Sequence, residues 1–310
     1  MISVFGSANM DLVAYVDVAP ALGETVTGRS FGTVPGGKGA NQAVAAARAG
    51  AEVAFLGAVG DDAFGAELRR TLAGAGVDVT HLRTVRGPSG IAQIVVDGDG
   101  GNSIIVVPGA NGTVTAPSEA EIEVISRSDM LLLQLELPVE AVTAAARAAR
   151  AAGTIVVLTP APVQPLPAEL LEAVDVLVAN EHEAAAITGQ DDHERALEEL
   201  RGTVGWVIIT LGSRGALTAS GDGPAVRVEA PRVTVVDTTA AGDTFVGALA
   251  VARVERQPAD LAVRFATAAA GLSVQRAGAS TSMPTRAEID RSLSETGTGT
   301  EAGAGSEAGT

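Results

Sequence analysis

An aspartate that follows a run of small residues is the strongest chemical feature of this chain. Thr238-Thr239-Ala240-Ala241-Gly242 lets a ligand come close to the backbone, and Asp243 stands where helical spacing begins, with Phe245, Ala248 and Leu249 recurring on one face. A helix N-terminus carries unpaired N–H groups and the positive end of the helix dipole, so it attracts anions. An aspartate there fits two roles. It can cap the helix, or it can sit beside an incoming phosphate and take a proton from a hydroxyl. Ahead of it, Val233, Val235 and Val236 read as the end of a buried strand.

Other polar residues gather at similar places. Gly36-Gly37-Lys38-Gly39-Ala40-Asn41 opens a helix. Counted from Gly32 it nearly matches a P-loop, but Gly39 stands where that motif needs a hydroxyl for magnesium, so the P-loop is rejected. Glycines there still let backbone N–H groups face a ligand, and Lys38 and Asn41 add donors suited to a polyhydroxylated molecule. Lys38 is the single lysine of the chain; every other basic side chain that counts toward the 21 is arginine. Asn9, Asp11 and Glu136 each follow a predicted strand, where ligands of parallel sheets collect. Asn180-Glu181-His182-Glu183 also follows a strand; Glu183 fits a helix cap or a magnesium ion held through water. Thr210-Leu211-Gly212-Ser213-Arg214-Gly215 fits an ordinary turn or close approach of a nucleotide.

The elements that must position these residues alternate. Strands are predicted at 2–7, 53–59, 130–135, 155–158, 174–179 and 206–211, and helices at 41–49, 61–75, 139–152 and 193–201. Two Ala-rich helices follow Asp243, to about 254 and from about 260 to 276. This alternation implies an α/β fold with a doubly wound, mainly parallel sheet. Residues 11–32 and the hairpin pattern around Asp97-Gly98-Asp99-Gly100-Gly101-Asn102 fit that sheet poorly. They read as a small β lid, 11–32 and 87–108, inserted in a core of 1–10, 33–86 and 109–293. Residues 294–310 are poor in core-forming side chains and are expected to be disordered.

Composition narrows the class. The 310 residues carry a formal net charge of −16, which argues against nucleic acid or an anionic membrane as partner. There is no cysteine and there are three histidines, His81, His182 and His193, without zinc spacing. With no secretory leader or long apolar run expected, the reading is cytoplasmic.

Taken together, GGKGANQAVAAARAG at 36–50, NEHEA at 180–184, TLGSRG at 210–215 and DTTAAGDTFVGALA at 237–250 resemble the ordered motifs of the ribokinase (PfkB-like) carbohydrate kinase family. Asn9-Met10-Asp11 and Gln134-Leu135-Glu136 add to it. The resemblance implies an ATP-dependent kinase that phosphorylates D-ribose at its 5-hydroxyl. A kinase of the same family for deoxyribose, fructose or a nucleoside, or a sugar-binding homologue without catalysis, is the alternative. It implies Asn9, Asp11, Gly37, Lys38, Asn41 and Glu136 on the sugar, Asp243 as general base, and the N–H groups of Ala241, Gly242 and Asp243 as an anion hole. It implies Asn180, Thr210, Gly212, Ser213, Arg214, Gly215, Gly242 and Thr267 on ATP, with Glu183 ordering Mg2+. A K+ site would lie at Asp237, Thr239, Ser273, Arg276, Gly278 and Ser282. Lids of this family commonly pair, which implies a homodimer. Thr159 and Thr267 depart from the family's usual Asn and His.

Overall fold

The computed structural model describes residues 1–298. The first third of the chain contains β1 (Ile2–Phe5), β2 (Asn9–Tyr15), β3 (Ser30–Gly36), α1 (Lys38–Arg48), β4 (Val53–Gly60), α2 (Ala63–Gly74), β5 (Leu82–Val85), β6 (Gly90–Val96) and β7 (Asn102–Val107). The middle contains α3 (Glu119–Arg127), β8 (Met130–Leu133), α4 (Val139–Ala152), β9 (Ile155–Leu158), α5 (Ala168–Leu171), β10 (Val176–Asn180), α6 (Glu181–Thr188) and α7 (His193–Arg201). The last part contains β11 (Trp206–Thr210), β12 (Ala216–Ser220), β13 (Val226–Val228), α8 (Ala241–Val254), α9 (Ala259–Ser273) and α10 (Arg286–Thr298).

Nine strands form one sheet in the order β13-β12-β11-β10-β9-β8-β1-β4-β5. Pairing is parallel from β5 to β11, and β12 and β13 add an antiparallel edge. The central strands are almost continuous apolar runs, broken in β1 only by the buried Ser3, because both faces are covered. Alternate side chains separate into two cores. Val4, Phe55 and Ile208 pack with α1, α2, α8, α9 and α10, while Phe5, Leu56 and Ile209 pack with α3 to α7. Aromatic side chains are few, so alanine and glycine let helices approach closely. A Cβ added at Gly247 of α8 would meet Ala45 Cβ of α1 at 2.6 Å and Ala46 N at 2.8 Å. That close approach sets Asn41 and Gln42 of α1 beside the first turn of α8.

A second, four-stranded sheet has the order β3-β2-β6-β7. Its middle pair, β2 with β6, is parallel, and the outer pairs are antiparallel. It extends beyond the expected 11–32, since β2 begins at Asn9 and β3 ends at Gly36, each directly continuous with core segments. Every residue of β7 is exposed.

Three further expectations change. Val233–Val236 form no strand; Val235 and Val236 are 55% and 62% exposed, and the Val236 N–H donates to Val274 O rather than to a neighbouring strand. Val233, Thr234 and Val235 line a cleft instead of filling the sheet. Helix α1 begins at Lys38, three residues before the expected start, so Lys38-Gly39-Ala40-Asn41 of the glycine-rich motif forms its first turn. Helix α10 continues to Thr298, past the expected start of the tail at 294, because the Thr285–Glu288 cap and the Arg286–Asp290 pair anchor its first turns. The rest of that tail, 299–310, lies outside the described residues. Among the described residues no helix is long and apolar enough to cross a membrane.

Candidate active site

Helix α8 starts from Ala240, which holds a left-handed φ of 56° and offers no side-chain cap. Asp243 is therefore not the N-cap; it lies in the first turn. Its carboxylate turns toward α1. Asn41 Nδ2 donates to Asp243 Oδ2 at 3.2 Å, and Gln42 Nε2 donates to Asp243 Oδ1 at 3.1 Å. The first intrahelical bond runs from Thr244 N to Ala240 O, so the N–H groups of Gly242 and Asp243 have no acceptor within the helix. The third N–H of the expected anion hole, that of Ala241, donates to Thr238 O at 3.2 Å.

A polar cluster stands in front of Asp243. Glu136, just after β8, accepts from Ser7 Oγ, from Lys38 N at 2.9 Å and from Asn9 Nδ2 at 3.5 Å. Asn9 is buried, and its Oδ1 accepts from Asn111 Nδ2 at 2.7 Å. Asp11 projects from β2 over Gly36, where an added Cβ would meet Asp11 Oδ2 at 2.4 Å. Gly37 adopts φ of 92°, and a Cβ there would strike Asn9 N at 2.7 Å. Gly36 thus leaves room for the Asp11 carboxylate, and Gly37 lets the chain pass close to the 7–9 backbone.

The charges of the cluster interact. Burial raises the Asp11 carboxyl to about 7, with Glu136 and Asp243 adding repulsion and Lys38 opposing it. Burial likewise raises Asp243 to about 6, against Lys38 and its two amide donors. Burial alone would lower Lys38, but Asp243, Glu136, Glu183 and Asp11 hold it above its usual value. One ammonium therefore serves four carboxylates, and two of these sit near neutrality.

On the other side of the α8 N-terminus lies a cleft of about 840 Å³. Thr210, Gly212, Ser213, Gly215, Gly242 and Thr267 line it, with Val233 and Val235 at its wall. Arg214 and Asn180 do not; Arg214 pairs with Glu181, and Asn180 caps α6. Glu183 completes that cap: its N–H donates to Asn180 Oδ1 at 2.8 Å, and its Oε2 accepts from Asn180 N at 2.8 Å. Burial raises the Glu183 carboxyl.

The Asp237 loop is partly assembled. Asp237 Oδ1 accepts from Thr239 N and Oγ1, and Oδ2 accepts from Gly278 N at 2.8 Å. Burial works against its charge, but these donors hold it below its ordinary value. Ser273 and Ser282 direct their hydroxyls to Ala270 O and Ala279 O, and Arg276 binds Glu288. The structure thus joins Asp237, Thr239 and Gly278, and engages the side chains of the other three elsewhere. Reading the sequence misses Ser7, Gln42 and Asn111, because nothing local distinguishes a buried polar side chain from a solvated one.

A sequence model of the family described as pfkB family carbohydrate kinase matches residues 1–286. A ribokinase of Schizosaccharomyces pombe is 42% identical over 94% of this chain and 97% of its own length. A ribokinase of Bacillus subtilis is 43% identical over 94% of this chain and 99% of its own. A solved structure of Arabidopsis thaliana ribokinase complexed with ribose and ATP superposes with a TM-score of 0.89 at 36% identity, covering 94% of this chain and 98% of that one.

Proposed function

We propose, for a chain that belongs to the pfkB family of carbohydrate kinases, transfer of the γ-phosphoryl group of ATP to the 5-hydroxyl of D-ribose. The observation that carries this reading is the place of Asp243, at a helix N-terminus between a hydroxyl-binding polar cluster and an open cleft.

Ribose hydroxyls would be held by Asn9, Asp11, Lys38, Asn41 and Glu136, with Gly36 and Gly37 keeping the floor open. Asp243 takes the proton of the 5-hydroxyl as that oxygen attacks phosphorus; the bond from phosphorus to the bridging oxygen breaks, and ADP leaves. The N–H groups of Gly242 and Asp243 then face the developing negative charge, and Ala241 joins them on exchanging its bond to Thr238. ATP occupies the cleft against Thr210, Gly212, Ser213, Gly215 and Thr267, with Asn180 and Arg214 reaching it by moving from their present partners.

Magnesium keeps most of its waters and takes few carboxylates, so Glu183, with one oxygen outside its cap, fits water-mediated binding. Bound there, it would neutralise phosphate charge. A potassium ion fits the ionised, donor-braced Asp237 loop with Thr239 and Gly278, and Ser273, Arg276 and Ser282 would complete that site through their backbone. The four-stranded sheet would act as a lid over the sugar, and its exposed β7, with Ile105 at 65% exposure, would pair with a second copy. Sedimentation of Ile105→Asp is expected to give monomer where wild type gives dimer; two identical profiles would sink the pairing.

The reading is tested by ATP consumption over a sugar and nucleoside panel with magnesium, with and without potassium. Turnover highest on ribose and raised by potassium is expected. A preference for another acceptor would replace ribose while keeping the chemistry, and ribose binding without turnover would contradict a kinase.

A further inference from the structure

Behind Asp243 lies a buried chain of amides that the proton transfer does not touch. Gln42 and Gln134 are 0% and 1% exposed. Gln42 Nε2 donates to Asp243 Oδ1 at 3.1 Å and to Thr159 Oγ1 at 3.3 Å. Gln42 Oε1 accepts from Gln134 Nε2 at 2.6 Å. An amide has different ends, an acceptor at oxygen and donors at nitrogen. By engaging the oxygen end of Gln42, Gln134 keeps its nitrogen end turned toward the carboxylate. Turned over, Gln42 would set its own oxygen against Asp243.

Gln134 leaves its Oε1 buried without a hydrogen-bond partner among the described residues. That oxygen lies against Gly6, where an added Cβ would approach it to 2.2 Å. An unpaired buried acceptor is unfavourable, and an apolar side chain of this size would avoid it. Its presence at the end of a chain leading to Asp243 points to a purpose other than stability.

We propose that Gln42, fixed by Gln134, is a positioning residue that holds the plane of the Asp243 carboxylate and keeps it ionised for proton transfer. This rests on the reading of Asp243 as the base. The charged groups that face Asp243 are Lys38 from α1, Asp11 from β2 and Glu136 after β8, and substitution of Gln42 leaves all three in place. Removing the donor on Oδ1 makes the carboxylate harder to ionise. Activity at low pH must then suffer more than activity at high pH.

The test is kcat and kcat/KM for ribose against pH in wild type, Gln42→Met and Gln134→Met. For Gln42→Met the acid limb of kcat/KM is expected to move up by about one pH unit, as loss of one hydrogen bond to a charged group implies. Its kcat is expected to fall roughly 10- to 100-fold through misorientation, with the KM for ribose within about threefold of wild type. Gln134→Met is expected to move the limb the same way by less. An acid limb at the wild-type position in Gln42→Met overturns the proposal whatever its kcat, since a packing defect alone does not move it. Should that variant not fold, an unmoved limb in Gln134→Met decides in the same way. Absence of ribose turnover in wild type would instead overturn the reaction assigned above. The Asp243 carboxyl titration followed by carbon NMR then judges the positioning, and identical titrations in wild type and variant overturn it.

Discussion

Burial raises Asp11 to about 7 and Asp243 to about 6, so both carboxyls gain protons on folding that the unfolded chain, with carboxyls near 3.8, would have released. The folded state then binds more protons than the unfolded state across this window. Their contribution to stability is present below about pH 4 and is lost as pH rises through about 6 to 7. With Asp243 as the proposed base, activity should have the opposite sign, because a carboxylate accepts a proton only when ionised. The ligand-free protein should therefore lose melting temperature from pH 5 to pH 8 while kcat/KM rises. Asp11→Asn should show a smaller loss over that range than wild type; an equal loss would remove Asp11 from this account. Such opposition is expected where a site is arranged for chemistry at the expense of stability.

The site depends on how closely α1 and α8 lie, since Asn41 and Gln42 come from one helix and Asp243 from the other. Gly247→Ala would push its new methyl to within 2.6 Å of Ala45 Cβ. It should cost about 1–3 kcal/mol of stability by overpacking. It should also lower kcat about 100-fold through a shift on the order of 1 Å at Asp243. Denaturant unfolding and kcat measured together check this, and a variant with wild-type kcat would show that helix spacing does not set the base. The same element scale marks how far the sequence is legible. Helices α4 and α7 and strand β9 occupy the bounds their periodicity predicts, because each has a clear apolar face or a sharp turn at its end. Val233–Val236 misleads, since β-branched apolar residues serve a cleft wall as well as a strand and only the partner decides. Asp11, Lys38, Asn41, Glu136 and Asp243 are recognisable from motif and placement after strands. The side chains of Gln42, Ser7 and Asn111 find their partners more than 30 residues away in sequence.

For the whole molecule, a net charge of −16 by itself opposes an anionic co-substrate. Exposed charges are screened beyond about 8 Å at physiological ionic strength, whereas the α8 N-terminus, which borders the cleft, acts at contact distance. The cleft and the polar cluster lie on either side of that helix end, and the second sheet contributes Asn9, Asp11 and Gly36 to the cluster. Fold, charge and cleft thus converge on one carboxylate. The most direct measurement is single-turnover phosphoryl transfer to ribose by Asp243→Asn beside wild type, with ribose binding measured by calorimetry on both. Transfer slowed by roughly 10²–10⁴-fold with ribose binding retained is the predicted result. Transfer at the wild-type rate would contradict Asp243 as the base.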